Sequence, residues 1–440
     1  MPEIEFKIID AALEDCTPEE AAKSSADFSP DLIGITGLTV HTGDVMRTAH
    51  ECKKICPNAN IITGGPGSTS NYDEILNEKA IDLCVIGEGE DALLELVRTI
   101  DNGGDIKALK GVAFRDPSGK VVKNCDRALM EDLDVIPFPA YHLIDVKKYF
   151  SCKKRTAQSP VSISKHIMPI LSSRGCPYKC SFCHNTFGKQ FRDRSAENVF
   201  AEISWLKQTY GIKELEVIDD IFNFNRKRAK EIFNKIIAAD LGLMIAFPNG
   251  LKYEMLDHEL MDLFKKGGVY RIAFGIESGN YNVQKYKIRK VVDLEKIREV
   301  INYGDKLGFY LSGFFQLGLP GETKQEMMDT INFATSTKLH TAMFHLTIPF
   351  PGTDLYNEFI KGKEEYRNVK FESPRRISIN MSAVSNKSLL NIKRLAFLKF
   401  YFNPSRMFRI WKVMPVKSKL VYNFFNVISE ILIGRWIFKT

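Results

Sequence analysis

Residues 172–185 read SSRGCPYKCSFCHN and set Cys176, Cys180 and Cys183 in a CxxxCxxC spacing. Three thiolates this close can hold three irons of a 4Fe-4S cluster and leave the fourth iron open to a small molecule. A structural zinc site is the chief competitor, but zinc wants a fourth Cys or His to complete its tetrahedron. His184 is adjacent to Cys183 and badly placed to close that tetrahedron, and none of the nine cysteines follows Cys183.

The other candidates for chemistry fall where apolar runs stop. Asp219 and Asp220 follow one run, Glu277 another, and Gly318, Gly321 and Glu322 sit in a Gly-Leu-Pro-Gly-Glu turn after a third. Paired carboxylates at a strand end are otherwise solvated or cap a helix. Arg192 and Arg194 suit a carboxylate or phosphate, and Ser195 with Asn198 reads as a helix cap. His345, Tyr310 and Gln316 are weaker candidates for lining a cavity, with a core histidine the ordinary alternative for His345. No Ser/His/Asp set is visible.

The elements that must position these residues alternate strand and helix. Strands are expected at 168–172, 214–218, 244–248, 270–276, 311–317 and 342–348, with helices at 196–210, 226–239, 257–266, 294–307 and 324–336 between them. Six units are too few for a closed eight-unit barrel. Active residues of such folds sit where strands end and loops begin. The N-terminal part alternates too: strands at 5–9, 31–36, 60–63 and 83–86, and helices at 18–26, 44–56, 72–79 and from 87 to 100. That pattern predicts a doubly wound parallel sheet, which binds ligands at the carboxyl ends of its strands. Two such ends carry Thr36-Gly37-Leu38 and Gly64-Gly65. His41 reads as a solvated loop histidine, and Cys52 and Cys56 as buried, inert thiols.

A Pro-fixed connector, with Asp132-Leu133-Asp134 and Ile136-Pro137-Phe138-Pro139, separates the two patterns. It ends in a polar, basic stretch at 151–164 with Lys-Lys-Arg at 153–155, read as a loop near the thiols or a plain connector. The expected division is 1–125, a linker at 126–165, a second α/β domain at 166–355 and a helical C-terminal region at 356–440. From Lys387 onward the chain has eleven Lys/Arg against one acid, Glu430, and Leu420, Phe424, Val427 and Ile431 recur at helical spacing. Such a basic apolar tail suits an anionic membrane surface or a partner groove; the plain alternative is a helical cap on the second domain.

Composition is that of an ordinary globular protein: 440 residues, 44% hydrophobic, 26% charged, net charge +7. The scattered cysteines argue against a disulfide scaffold and for a reducing cytoplasm. The first residues show no signal peptide, and no uncharged run approaches the length of a membrane span. Nothing accompanies the positive charge that reads as a nucleic-acid module, so no nucleic acid is expected.

The thiol motif, with Phe182 as the aromatic before the last cysteine, resembles that of radical S-adenosylmethionine (SAM) enzymes. More specifically the chain resembles the subfamily with an N-terminal cobalamin-binding domain, which includes class B radical SAM methyltransferases and anaerobic magnesium-protoporphyrin oxidative cyclases. The shared pieces are the SxL…GG spacing (Thr36 in the Ser place, with Leu38, Gly64 and Gly65), the DLD…PFP link, the Asp219-Asp220 segment, Gly-Ile-Glu277, the 318–322 turn and Pro-Phe-Pro-Gly-Thr at 349–353. The resemblance implies a Rossmann-like first domain, an open (β/α)6 partial barrel, and a 4Fe-4S cluster whose open iron binds SAM and cleaves it to a 5′-deoxyadenosyl radical. It implies SAM contacts from Phe182, Asp219, Asp220, Glu277, Gly318, Gly321 and Glu322. Thr36, Leu38, Gly64 and Gly65 would surround the cobalamin tail. It further implies an electron donor such as flavodoxin or ferredoxin, and a small-molecule or lipid-like substrate. Two departures stand out. The DxHxxG motif has no counterpart, and the chain starts at what is usually the second strand of the first domain. Methyl transfer to an unactivated carbon is the expected reaction, a radical cyclisation or rearrangement the alternative, and a non-catalytic interaction protein a third.

Overall fold

The structure is a computed structural model; it describes residues 4–152, 161–184, 186–366, 369, 377–414, and positions 416, 417, 419, 420, 425, 428 and 429. Short β-branched runs form the first sheet. Strands β1 (Leu32–Thr36), β2 (Asn60–Gly64) and β3 (Leu83–Val85) are parallel and adjacent in chain order. Alternate side chains feed two cores. Ile61 and Cys84 pack with Ala22, Ala49 and Cys52 on one face, and Ile62, Leu83 and Val85 with Ala92 and Leu96 on the other. Helices therefore cover both faces, the doubly wound arrangement the alternation predicts. Cys52 lies buried in that core, as expected.

Three local expectations are corrected here. Residues 5–9 form no strand. A strand is stable only when its backbone groups find a partner. The outer side of β1 stays open among the described residues, and Ile4, Phe6 and Ile8 remain exposed. The Gly-Gly-Pro break is instead a helix start: a helix runs Gly65–Ile75 with Pro66 in its first turn and a kink at Asn71, in place of the helix expected at 72–79. The sheet has two further strands that the sequence alternation does not predict, β4 (Val112–Arg115) and β5 (Val121–Lys123). They extend the sheet as an antiparallel hairpin turned by Asp116, whose carboxylate accepts from the Ser118 and Lys120 amides.

The connector is less extended than its prolines suggest, with turns at Leu133–Val135 and Tyr141–Leu143 and a helix at Val146–Ser151. Phe138 and Tyr141 anchor it on Trp205, with ring centroids 5.8 and 6.0 Å apart. The basic triplet at 153–155 lies outside the described residues.

All six expected strands of the second sheet form: β6 (Ile167–Ile170), then, after the short pair β7 (Ser173–Arg174) and β8 (Arg192–Asp193), β9 (Glu214–Val217), β10 (Met244–Phe247), β11 (Val269–Glu277), β12 (Tyr310–Leu317) and β13 (Thr341–Leu346). They are parallel, in chain order, and do not close: β6 and β13 are the two edges. This is an open six-stranded partial barrel. Strand alternation sends Leu215, Val217, Ile245, Phe247, Ile272, Phe274, Leu311 and Phe315 outward, into one core shared with the covering helices Ala196–Tyr210, Arg226–Ala238, His258–Lys266, Leu294–Lys306 and Lys324–Ser336. The intervening positions, Glu214, Glu216, Arg271, Ser312 and Phe314, lie on the opposite, inner face. The C-terminal region is in part a cap. Helix Asn386–Tyr401 buries Leu389, Ile392, Phe397 and Phe400 in the same core. Of the apolar repeat expected beyond it, Phe424, Val427 and Ile431 lie outside the described residues.

Candidate active site

The cysteine loop leaves the barrel immediately after β6 and is closed at its base by the β7–β8 pair. Gly175 has φ 84°, and a Cβ there would stand 2.1 Å from the Gln190 carbonyl, so the turn into Cys176 accepts only glycine. Ser181, buried between the last two cysteines, is pinned three ways. Its amide donates to the Ile288 carbonyl (2.9 Å), its hydroxyl to the Lys287 carbonyl (2.6 Å), and its carbonyl accepts from the Leu355 amide (2.9 Å). Phe182 packs on Val283, Ile288, Leu319 and Leu355, so its ring also ties the loop to the barrel rim. The segment it packs against, Val283–Ile288, is one turn of π-helix, a form concentrated at functional sites.

The three thiols sit within electrostatic range of one another, of Asp220 and Glu277, and of the ammonium groups of Lys252 and Lys290. Among the described residues no three Cys, His, Asp or Glu side chains are gathered at metal-binding spacing, and the Cys183 Sγ donates to the His184 carbonyl at 3.3 Å. Desolvation, then the neighbouring thiols and carboxylates, pushes the accessible but protein-surrounded Cys183 thiol up to about 12. Three crowded thiolates need compensating cations, and the site offers them. Lys252 Nζ stands 3.6 Å from the centroid of the Tyr178 ring, and Lys290 Nζ donates to the Gly275 carbonyl at 2.5 Å. Soft sulfur donors on one loop, flanked by two lysines, suit a metal–sulfur cluster better than a hard cation.

The ends of β9, β11 and β12 carry acidic groups on this side of the barrel, with different consequences. Asp219 is buried, and its oxygens take the Ser172 amide and the Ser172 and Ser173 hydroxyls, each at 2.6 Å. Asp220 is accessible yet hemmed in by protein, and desolvation, then the neighbouring Asp219 charge, raises its carboxyl. Glu277 ends β11 at φ +69°, a left-handed conformation costly for a non-glycine residue, next to a register shift, and pairs with Lys290 Nζ at 3.4 Å. Strain of this kind concentrates at working sites. Glu322 folds back to accept from the Gly318 and Leu319 amides (2.7 and 3.0 Å) and is fully buried. Gly318 and Gly321 hold positive φ for that turn, and the side of Gly318 that lacks a Cβ faces Leu389 of the C-terminal helix. Arg192 and Arg194 do meet carboxylates, but the protein's own, Glu88 and Glu202.

The first sheet brings its strand ends to the same place. Thr36 and Gly65 touch so closely that a Cβ on Gly65 would lie 2.4 Å from the Thr36 hydroxyl, and Thr36 donates to the Gly64 carbonyl at 3.3 Å. Leu38 projects from this pair and is exposed, as is His41. One residue on, the Thr39 hydroxyl lies 3.1 Å from Ser70 Oγ and 3.5 Å from Nε2 of His184, next to Cys183. Beyond β3, Glu88 reaches across to the cysteine hairpin. It binds Arg174 at 3.1 Å and Arg192 at 2.9 Å, and accepts the Met130 amide from the connector. Glu88, Lys252 and Lys290 carry no signal in the sequence, and His184 reads there only as badly placed to complete a zinc site.

Two family models match the chain: the radical SAM superfamily over residues 170–334 and the B12 binding domain over 3–97. An uncharacterized methyltransferase of Pyrococcus horikoshii is 31% identical, across 91% of this chain and 85% of its own length. The cytidylyl-2-hydroxyethylphosphonate methyltransferase of Streptomyces wedmorensis is 30% identical, across 78% and 69%. The chain belongs to the radical SAM enzymes with a B12-binding domain. TsrM of Kitasatospora setae, a radical SAM methyltransferase solved with cobalamin and a 4Fe-4S cluster bound, has the same fold (TM-score 0.66, 18% identity, 81% of this chain and 69% of TsrM). Membership makes a 4Fe-4S cluster, SAM and cobalamin the cofactors of this radical SAM enzyme. The thiol loop and the exposed strand ends of the first sheet are the surfaces chemically suited to them.

Proposed function

We propose that this enzyme is a cobalamin-dependent methyltransferase that acts on an unactivated carbon of a small molecule. The observation that carries the reading is the meeting of the two cofactor regions. The strand ends of the first sheet touch the cysteine loop directly, through Thr39–His184 and Glu88–Arg174, so a carrier held by one is next to chemistry begun at the other. When bound, the cluster supplies the electron that cleaves SAM, and cobalamin carries the methyl group.

The chain's own residues then have these parts. Cys176, Cys180 and Cys183 hold the cluster, and Lys252 and Lys290 offset its charge. Asp220 takes the SAM ammonium, Glu277 the ribose hydroxyls, and the 318–321 turn shapes the adenosyl pocket behind Phe182. Thr36, Leu38, Gly64 and Gly65 line the cobalamin tail. No strong acid or base is required for hydrogen abstraction; what matters is exclusion of water and close placement of the substrate carbon. The division of labour follows the boundaries 1–125, 126–165, 166–355 and 356–440. A flavodoxin or ferredoxin in a reducing cytoplasm is the matching electron source.

The test is cobalamin retention. Protein reconstituted without oxygen, mixed with hydroxocobalamin and desalted should keep close to one cobalamin per chain, and should form 5′-deoxyadenosine from SAM. An intact cluster that cleaves SAM while cobalamin washes away overturns the methyltransferase reading.

A further inference from the structure

The C-terminal helix pair carries a feature that the catalytic reading leaves unused. Helix Asn386–Tyr401 is a cap, but the helix after it, Pro404–Val413, buries only Arg406. The Arg406 guanidinium is a bolt: it donates to the carbonyls of Leu339, Thr335 and Thr337 and stacks over Phe400, with its carbon 3.6 Å from the ring centroid. The other side of the pair faces solvent with large apolar groups. Phe402 is 61% exposed, Met407 48%, Phe408 63% and Trp411 55%. Phe408 and Trp411 stack on each other at 5.9 Å, and the Lys417 ammonium sits over the Trp411 ring at 4.8 Å. A run of aromatic residues this exposed is rare on a surface that meets only water.

Charge says what covers it. From 386 to 429 the chain has nine Lys/Arg and no Asp or Glu. Lys399, Lys412 and Lys417 are exposed among the apolar groups. A Trp and Phe face ringed by lysines, on a helix too short to span a bilayer, has the chemistry of an interfacial anchor. No helix among the described residues is long and apolar enough to cross a membrane. We infer that this face docks on the anionic surface of a lipid bilayer.

Its place in the fold adds a constraint. Arg406 and Tyr401 grip the backbone around Leu339 and Ala342, at the amino end of β13. The cysteine loop and Glu277 stand at the carboxyl ends of the strands. A six-residue strand separates those ends by about 20 Å. Docking therefore holds the enzyme by the amino ends of its barrel strands and leaves the site, at their carboxyl ends, facing away from the lipid. The anchor sets where the enzyme works; it does not feed lipid into the site.

The experiment is vesicle co-sedimentation of the full chain with phosphatidylcholine alone and with phosphatidylcholine mixed with phosphatidylglycerol. Expected is partition to the mixed vesicles roughly tenfold or more above the neutral ones, declining with salt. The double variant F408S/W411S, altered only at exposed positions, should lose most of it while melting at the same temperature and cleaving SAM as before. A blue shift of emission on vesicle binding should disappear in Trp411→Phe. Absence of partition overturns the inference, as does partition that F408S/W411S leaves unchanged. Self-association that F408S/W411S abolishes, without lipid binding, would assign the face to a second copy instead.

Discussion

Glu322 is a carboxyl placed where its neutral form is favoured. Burial pushes it up to about 7, against the Gly318 and Leu319 amides that favour the charged form, and its Oε1 makes no hydrogen bond. An acid raised in the folded state binds more protons folded than unfolded between its unfolded value and about 7, so stability falls as pH rises through that window. The drop should approach roughly 3 kcal/mol, and Glu322→Gln should flatten it. Urea midpoints measured across this window in both proteins decide the matter; parallel curves would show that Glu322 does not titrate there. At the same scale, Cys176→Ala, Cys180→Ala and Cys183→Ala should each abolish the iron–sulfur absorbance after reconstitution. Asp219→Asn should instead act as a folding defect, because three donors rely on that carboxylate. A folded Asp219→Asn protein with wild-type stability would contradict its supporting role.

Among the elements, the Glu88 junction joins the first sheet, the connector and the cysteine hairpin. Burial alone would raise the Glu88 carboxyl, but Arg192, the Met130 amide and Arg174 outweigh it and hold it below the ordinary carboxylate range. Glu88→Gln leaves the buried Arg192 guanidinium without its carboxylate, while the half-buried Arg174 keeps Glu90; removing one partner of an interior pair costs about 3 kcal/mol. Chemical denaturation reads this directly, and an unchanged midpoint would show the junction to be idle. The loss should be larger than for an exposed pair such as Lys54–Glu51, whose removal is worth under about 1 kcal/mol. Sequence could not single out Glu88, because its partners lie 86 and 104 residues away and no local pattern links them.

For the whole molecule, the two sheets differ in how well their edges are protected. Among the described residues β1 has one partner, and the apolar residues Ile4, Phe6 and Ile8 stay exposed. Edge strands open more easily than central ones. Amides of Leu32–Thr36 should therefore exchange hydrogen well before those of Val269–Glu277, which is flanked on both sides. Equal protection would mean that something covers the β1 edge. What the sequence determined by itself is what depends on short range. The cysteine spacing, the alternation of β-branched runs with amphipathic helices, and the cap at Ser195 place six barrel strands and five covering helices close to their observed bounds, since each rests on neighbours within a turn or a pleat. The tertiary structure alone decided which side chains face one another. It turned Asp219 and Glu322 inward and left Asp220 accessible. It placed Lys252 and Lys290 beside the thiols and spent Arg192 on Glu88. It also left residues 5–9 outside the first sheet. Pairing across long stretches of chain is set by how whole elements pack, and a local pattern carries no record of it.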